Sequence, residues 1–297
     1  MNKKSQVCAV IVTFNKLDLL KQCITAIKKQ SYKVESILVV DNNSTDGTLA
    51  YLNSIVGVDA IHMDENIGGA GGFSEGIQKF INLTKSDFCW IMDDDTIPQE
   101  DCLKELLVAE NKLDNVGFLA SNIKWVNGDA AIMNVPRPAD FWNEKAEEGL
   151  IKVESASFVS LLISRDAVLK VGLPISEFFI WGDDVEYTLR ISKSGFNNYL
   201  VVSSLAMHKM KENIGIDIIR ETDYSRIKRY YLGNRNAIYT SRKLMGAKGV
   251  LKETLKHISL VPKILIKKNK RKGYKIFVVA KGTLVGFFFN PKIKYMK

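Results

Sequence analysis

Cysteine is scarce: the chain has four, Cys8, Cys23, Cys89 and Cys102, each inside an apolar stretch and none at paired spacing. That excludes a disulfide frame and a cysteine zinc site, and fits buried thiols in a reducing compartment. Long apolar runs are missing too. The longest candidate, in KGYKIFVVAKGTLVGFFFNPK, has about fourteen residues and is interrupted by Lys281 and two glycines, short of the roughly twenty that span a bilayer. The N-terminal stretch carries Lys3 and Lys4 before VCAVIVTF but runs straight into Asn15 and Lys16 with no small-residue cleavage pattern. It reads as a first strand, not a signal peptide, and the expected location is cytosolic. Acids are almost absent beyond Ser241, where sixteen Lys and Arg face the single Glu253, so the overall charge of +9 belongs to that tail. The remainder, with 26 basic and 32 acidic residues, is mildly acidic. This division speaks against a main domain that grips nucleic acid and for a tail that meets an anionic membrane surface.

What is present centres on residues 88–98, FCWIMDDDTIP, an apolar run that ends in three aspartates. The run reads as a buried strand delivering Asp93, Asp94 and Asp95 to its carboxyl edge. On an extended backbone alternate side chains share a face, so Asp93 and Asp95 converge while Asp94 points elsewhere. Oxygen ligands select a hard divalent cation, magnesium or manganese. The competing reading is a solvated acidic turn capping a helix that begins near Pro98, where Glu100 and Asp101 suit the helix dipole.

Strands and helices alternate through the first hundred residues. A strand over 7–13 ends in TFN and is followed by LDLLKQCITAIKKQ, with apolar residues at helical spacing; a second over 36–40 ends in Asp41, with a helix capped near Ser44 or Thr45. A third, over 58–63, precedes ENIGGAGGF. This pitch implies parallel βαβ units, an α/β sheet with its ligand crevice beyond the carboxyl ends of the strands. Asn15, Asp41, Asn66 and the aspartates lie at such ends and are expected to line it. The glycines after the third strand stand in the wrong place for a dinucleotide fingerprint, which follows the first strand, and are read as letting backbone approach a ligand. VGFLASNIKW and VESASFVSLLIS read as further strands of a mixed sheet, joined by a loop over 135–141.

In FFIWGDDVEYTLRI, Asp183 and Asp184 start a helix, as a structural cap or as part of the crevice, with Trp181 before them and Glu186 less than a turn beyond. Among three histidines, His62 falls in a strand and His257 in the tail. His208 follows a strand over 199–202 and is placed in a polar loop, as a solvated residue or a third metal ligand. The tail reads as helices over 223–244 and 249–268 and a final segment lying in a membrane interface or docked on the protein.

IVTFNK, VVDNNSTDGT, NIGGAGGF, the aspartate triplet and the late histidine together resemble the inverting family 2 glycosyltransferases of the GT-A fold. WGDDVEY and YYLGNRN at 230–236 look most like bacterial galactofuranosyltransferases, with rhamnosyltransferases using dTDP-rhamnose the nearest alternative. The resemblance covers residues 7 to about 240. It implies a Rossmann-like mixed sheet flanked by helices over 1–222, while the basic, helical region over 223–297 is expected from its charge and apolar content to associate with a membrane. It implies Asp93, Asp95 and His208 as metal ligands, Asp184 as general base, and uridine contacts from Thr13, Asn15 and Asp41. Asn66 and Asp94 join the substrate-binding set, and Trp181, Asp183 and Glu186 are assigned to the acceptor sugar. The expected reaction moves galactofuranose from UDP-galactofuranose to a lipid-linked glycan at the inner membrane face, with no nucleic-acid partner. A nucleotidyltransferase would want a Gly- and Lys-rich loop after the first strand, which TFNKLDLL lacks; a non-catalytic membrane-binding module would show no sugar-nucleotide chemistry.

Overall fold

The computed structural model describes residues 4–296. Strand β1 (Val7–Thr13) is buried along its whole length, as an apolar run must be in a parallel sheet covered on both faces. Its alternate residues feed two cores: Val7, Ala9 and Ile11 on one side, Cys8, Val10 and Val12 on the other. The chain continues through α1 (Leu17–Lys28), β2 (Ser36–Asp41), α2 (Thr48–Ser54), β3 (Asp59–His62), α3 (Gly68–Leu83) and β4 (Phe88–Asp93). The strands β3, β2, β1 and β4 lie side by side, all parallel.

Next come β5 (Thr96–Pro98), α4 (Cys102–Glu110), β6 (Val116–Lys124), β7 (Arg137–Pro138), β8 (Leu150–Ser155), β9 (Leu161–Ser164), α5 (Arg165–Val171), α6 (Asp183–Lys193) and β10 (Asn197–His208). Strand β9 wedges antiparallel between β4 and β6, β10 runs parallel to β6, and β8 and β7 close that edge. Helices α1 and α4 cover one face; α3, α5 and α6 cover the other. This is the expected α/β mixed sheet.

Two local expectations are corrected and a third is narrowed. No helix begins near Pro98, because residues 96–98 pair antiparallel with residues 206–208, and α4 waits until Cys102. The same pairing extends β10 to His208, which is a strand residue and not a loop residue. The glycines after β3 divide: Gly69 faces open space, as an approach to a ligand requires, whereas a Cβ on Gly72, or on Gly76 further along, would stand 2.5 or 2.4 Å from the side chains of Val12 and Val10. Glycine there lets α3 lie directly on β1.

The tail forms α7 (Tyr224–Thr240), a π-helical turn (Ser241–Met245), α8 (Gly246–Ile266) and α9 (Lys272–Phe288). Their inner faces make an apolar cluster that includes Ile227, Tyr230, Ile264 and Val278, and the buried Lys275 ammonium donates to the Ile219 carbonyl at 2.9 Å. Beyond α9 the chain returns to the body: the Phe289 ring meets Phe178 and Tyr239, and the Leu173 amide donates to the Lys294 carbonyl at 2.9 Å. Among the described residues no helix is long and apolar enough to cross a membrane.

Candidate active site

The end of β4 carries the aspartates, and each finds a different neighbour. Asp94 turns toward β1, where its Oδ2 accepts from the Thr13 hydroxyl at 2.9 Å and the Phe14 amide at 3.2 Å. Asp95 turns toward β10, with Oδ1 2.9 Å from His208 Nε2. Lys16 lies between them, its ammonium 2.7 Å from Asp95 and 3.3 Å from Asp94. Asp93, Asp95 and His208 each offer a ligand atom, all within 4.8 Å of one another.

The surroundings make charge expensive here. Burial, and then the charge of Asp95, push the Asp93 carboxyl well above the usual carboxylate range. Burial also acts to raise Asp95, but the hydrogen bond and charge of His208 and the Lys16 ammonium hold it below that range. For Lys16, burial is outweighed by the charges of Asp94 and Asp95, which hold the ammonium above its ordinary value.

His208 is oriented by Asn134, a residue with no signal of its own in the sequence. The Asn134 amide donates to Ser157 Oγ at 3.0 Å, which leaves its Oδ1 to accept from His208 Nδ1 at 2.7 Å. The ring nitrogen facing Asp95 is then the basic one, and that pairing needs a proton or a cation shared between them. Two carboxylates and one such imidazole fit a hard divalent ion with positions left open for other oxygens.

The second acidic pair sits where α6 begins, after a turn of unusual backbone. Phe179, Trp181 and Gly182 all have positive φ, at 65°, 65° and 86°, a conformation that costs a bulky residue on the order of 1–3 kcal/mol unless its surroundings impose it. Here they do. The buried Asn236 amide, on α7, donates to the carbonyls of Phe178, Ile180 and Trp181 at 3.1, 3.3 and 2.9 Å. Arg235 adds bonds to the Glu177 and Phe178 carbonyls, and the Ala70 amide donates to the Phe179 carbonyl at 3.2 Å. A Cβ on Gly68 would lie 2.1 Å from that carbonyl oxygen, so the turn and the loop after β3 interlock only with glycine there. The motif YYLGNRN thus acquires a physical role that its spacing could not reveal.

Asp184 Oδ1 accepts from the Val185 amide at 2.7 Å. Burial pushes its carboxyl up to about 6, partly offset by that bond. Asp183 has no side-chain partner among the described residues, and burial and then the charge of Asp184 hold it well above the carboxylate range. Glu186 is corrected: it is 1% exposed and forms a two-pronged ion pair with Arg190, both contacts 2.9 Å. Arg190 continues to the carbonyls of Val171 and Leu173. Glu186 therefore turns away from the crevice and has no free oxygen for an acceptor.

A cavity of about 720 Å³ joins the two acidic groups, with Asp93 and His208 on one side, Trp181, Asp183 and Asp184 on another, and Phe73, Phe158 and Tyr230 as apolar wall. The other sequence-predicted residues lie outside it. Thr13 is committed to Asp94, and Asn15 Oδ1 accepts from the Thr45 amide at 2.7 Å. Asp41 is fully buried between the Ser44 amide and His62, and Asn66 Oδ1 takes the Gly68 amide at 2.8 Å. These residues shape the loops beyond β1, β2 and β3.

Comparison with known proteins agrees with this architecture. The family model of glycosyl transferase family 2 matches residues 8–170. The chain is 28% identical over 225 residues to galactofuranosyltransferase GlfT1 of Mycolicibacterium smegmatis, covering 69% of this chain and 72% of that protein. A crystal structure of GalNAc-T7 with UDP, GalNAc and Mn2+ superposes with a TM-score of 0.68 at 15% identity, over 97% of this chain and 57% of that one. Mannosyltransferase PcManGT from Pyrobaculum calidifontis, in complex with GDP-Man and Mn2+, superposes with a TM-score of 0.56 at 16% identity, over 97% and 77%. At these identities the structural likeness is one of fold.

Proposed function

The chain belongs to glycosyl transferase family 2, and on that premise we propose that it transfers galactofuranose from UDP-galactofuranose to a lipid-linked glycan, inverting the anomeric carbon. The observation that carries this reading is the opening of two separate acidic groups, Asp93 with His208 and Asp183 with Asp184, onto one cavity. One group suits a departing diphosphate and the other an incoming hydroxyl. The donor sugar rests on the likeness to a galactofuranosyltransferase, together with WGDDVEY and YYLGNRN.

Asp93, Asp95 and His208 would hold a divalent cation, manganese or magnesium, which supplies positive charge at the leaving diphosphate. Asp184 takes the proton of the acceptor hydroxyl as its oxygen bonds to the anomeric carbon; the bond from that carbon to the diphosphate breaks, and its electron pair leaves with UDP. A carboxyl pushed up to about 6 is a stronger base than an ordinary aspartate yet ionised at neutral pH. Asp183 and Trp181 bind the acceptor sugar, one by hydrogen bonds and the other through its ring face. Thr13, Asn15, Asp41, Asn66 and Asp94 serve the nucleotide side indirectly, by holding the loops beyond β1, β2 and β3 in shape. Lys16, which shares the Asp95 carboxylate with the metal set, would balance charge there.

Residues 1–222 form the catalytic unit and 223–297 a helical unit that sits on the inner face of the cell membrane. What supports the membrane reading is the outer surface of the tail, where Leu251, Leu255 and Ile258 on α8 and Phe277, Leu284 and Phe288 on α9 are exposed among lysines. Such a surface suits an anionic interface. Titration calorimetry of a panel of sugar nucleotides tests the donor: UDP-galactofuranose should bind only with manganese, and tighter than dTDP-rhamnose. Metal-independent binding, or preference for dTDP-rhamnose, would sink the assignment.

A further inference from the structure

The cavity that holds the catalytic acids does not stop at the α/β body. Its far wall is the inner face of α8, through Glu253, Lys256, His257 and Leu260. These positions, spaced three or four apart, share one side of the helix, while Leu251, Leu255 and Ile258 face outward. Further along, the same face buries Ile264 and Leu260 in the apolar cluster of the tail, as a docked helix does; over its first turns it presents a carboxylate to the cavity instead.

Glu253 is built into place. Its Oε1 meets the Lys256 ammonium at 2.9 Å and His257 Nε2 at 3.2 Å. His257, 3% exposed, is anchored in turn by Thr283 of α9, 2.8 Å from Nδ1, and the Thr283 hydroxyl donates to the Val279 carbonyl at 2.7 Å. Both contacts of the carboxylate fall on Oε1, and Oε2 has no partner among the described residues. A carboxylate oxygen only accepts hydrogen bonds, so its ligand must donate. That favours hydroxyl groups and disfavours phosphate.

We propose that Glu253, positioned by His257 and Lys256, binds a hydroxyl-bearing sugar ring of the acceptor glycan, set back from the ring that is glycosylated at Asp184. The inference rests on the glycosyltransferase reading and deepens it: α8 selects the acceptor on its inner face and meets the membrane on its outer one. Acceptors with a second ring reach Glu253; single-ring acceptors do not.

The test compares an octyl galactofuranosyl disaccharide with the matching octyl monoglycoside. Glu253→Gln should raise KM about tenfold for the disaccharide, with kcat, monoglycoside KM and manganese-dependent UDP binding unchanged. Lys256→Gln, at an exposed side chain, should raise the same KM by a smaller factor. Equal effects on both acceptors, no effect on either, or displacement of the disaccharide by inorganic pyrophosphate at Glu253 would overturn the subsite. If the wild-type enzyme turns over no sugar nucleotide, the transfer reading fails on its own, and saturation-transfer NMR with the same disaccharide then decides the subsite. A second-ring signal that disappears in Glu253→Gln supports it; a signal that is absent from the wild type, or unaltered in the variant, overturns it.

Discussion

The aspartate crevice and the basic tail concentrate charge of opposite sign, and they arrange it in opposite ways. In the crevice, carboxylates converge inside the fold: Asp94 and Asp95 are 3% and 6% exposed, and each is tied to a named partner. In the tail, lysines disperse over an outer surface and alternate with exposed leucine, isoleucine and phenylalanine. Converging, desolvated charge has a strong field over a few ångströms and selects a discrete ion. Dispersed, hydrated charge acts only within about a Debye length and suits an extended surface. Sign and number alone do not distinguish these two uses; burial does.

The sharpest break of that contrast lies at β4. Asp93→Ala and Asp95→Ala should each cost at least about 10³-fold in transfer and remove manganese-dependent UDP binding, since divalent charge at the leaving group is lost. Their thermal stabilities should diverge. Asp93→Ala removes a repelled carboxyl and should leave the metal-free protein as stable or more so. Asp95→Ala strips His208 of its carboxylate and Lys16 of the nearer of its two, and should lower the melting temperature. Unchanged UDP affinity in manganese would defeat the metal assignment.

Next in size is Asp184→Asn, which keeps the helix-start geometry but not the proposed base: turnover should fall roughly 10²- to 10⁴-fold with donor affinity little altered. The wild-type rate should climb with pH up to about 6 and then level, because the raised carboxyl must lose its proton before it can accept one. The sign for stability is opposite. A folded-state value above the unfolded one favours the protonated fold, so this group's stabilisation is full at low pH and is lost as pH rises through about 6. A pH-rate profile without that rising limb, or an Asn variant near wild-type rate, would remove Asp184 from the chemistry.

A smaller effect, about 10- to 100-fold in kcat with UDP binding kept, is expected for Asn236→Ala, which frees the strained turn before Asp184. Steady-state kinetics beside UDP calorimetry reads the split, and parallel loss of both would mean the residue serves the fold alone. The mildest change is replacement of Lys267, Lys268, Lys270, Arg271 and Lys272 by Gln. Each basic residue near an anionic surface is worth on the order of 1 kcal/mol, so sedimentation with anionic liposomes should weaken at least tenfold while nucleotide binding holds. Salt-insensitive sedimentation would show that the basic cluster is not the anchor.

The parts of this protein that are readable in its sequence are those governed by neighbours along the chain. The β1, β2 and β4 runs, the aspartate triplet and the helix after WGDD all follow from local period and strand-end chemistry. Lys16, Asn134 and Asn236 are not readable, because each acts on residues far along the chain: Lys16 on Asp95, 79 positions away, and Asn236 on Trp181, 55 positions away. Glu186 is a different case. Its partner Arg190 stands four residues later on the same helix, a spacing that signals an ion pair, and the acidic company of Asp183 and Asp184 masks that signal. His208 reads as a loop residue because β5 is too short to announce itself as a pairing partner.

The return of residues 289–296 to the body gives the protein a schedule. Phe178, at the start of the turn that leads to Asp184, is covered by Phe289, and the Leu173 amide finds its acceptor only in Lys294. Translation at about 5–20 residues per second puts on the order of ten seconds between the synthesis of these partners. During that interval Phe178 is without Phe289 and the Leu173 amide without the Lys294 carbonyl. A chain that stops near residue 240 would lack both contacts, and with them the cover over the turn that precedes Asp184.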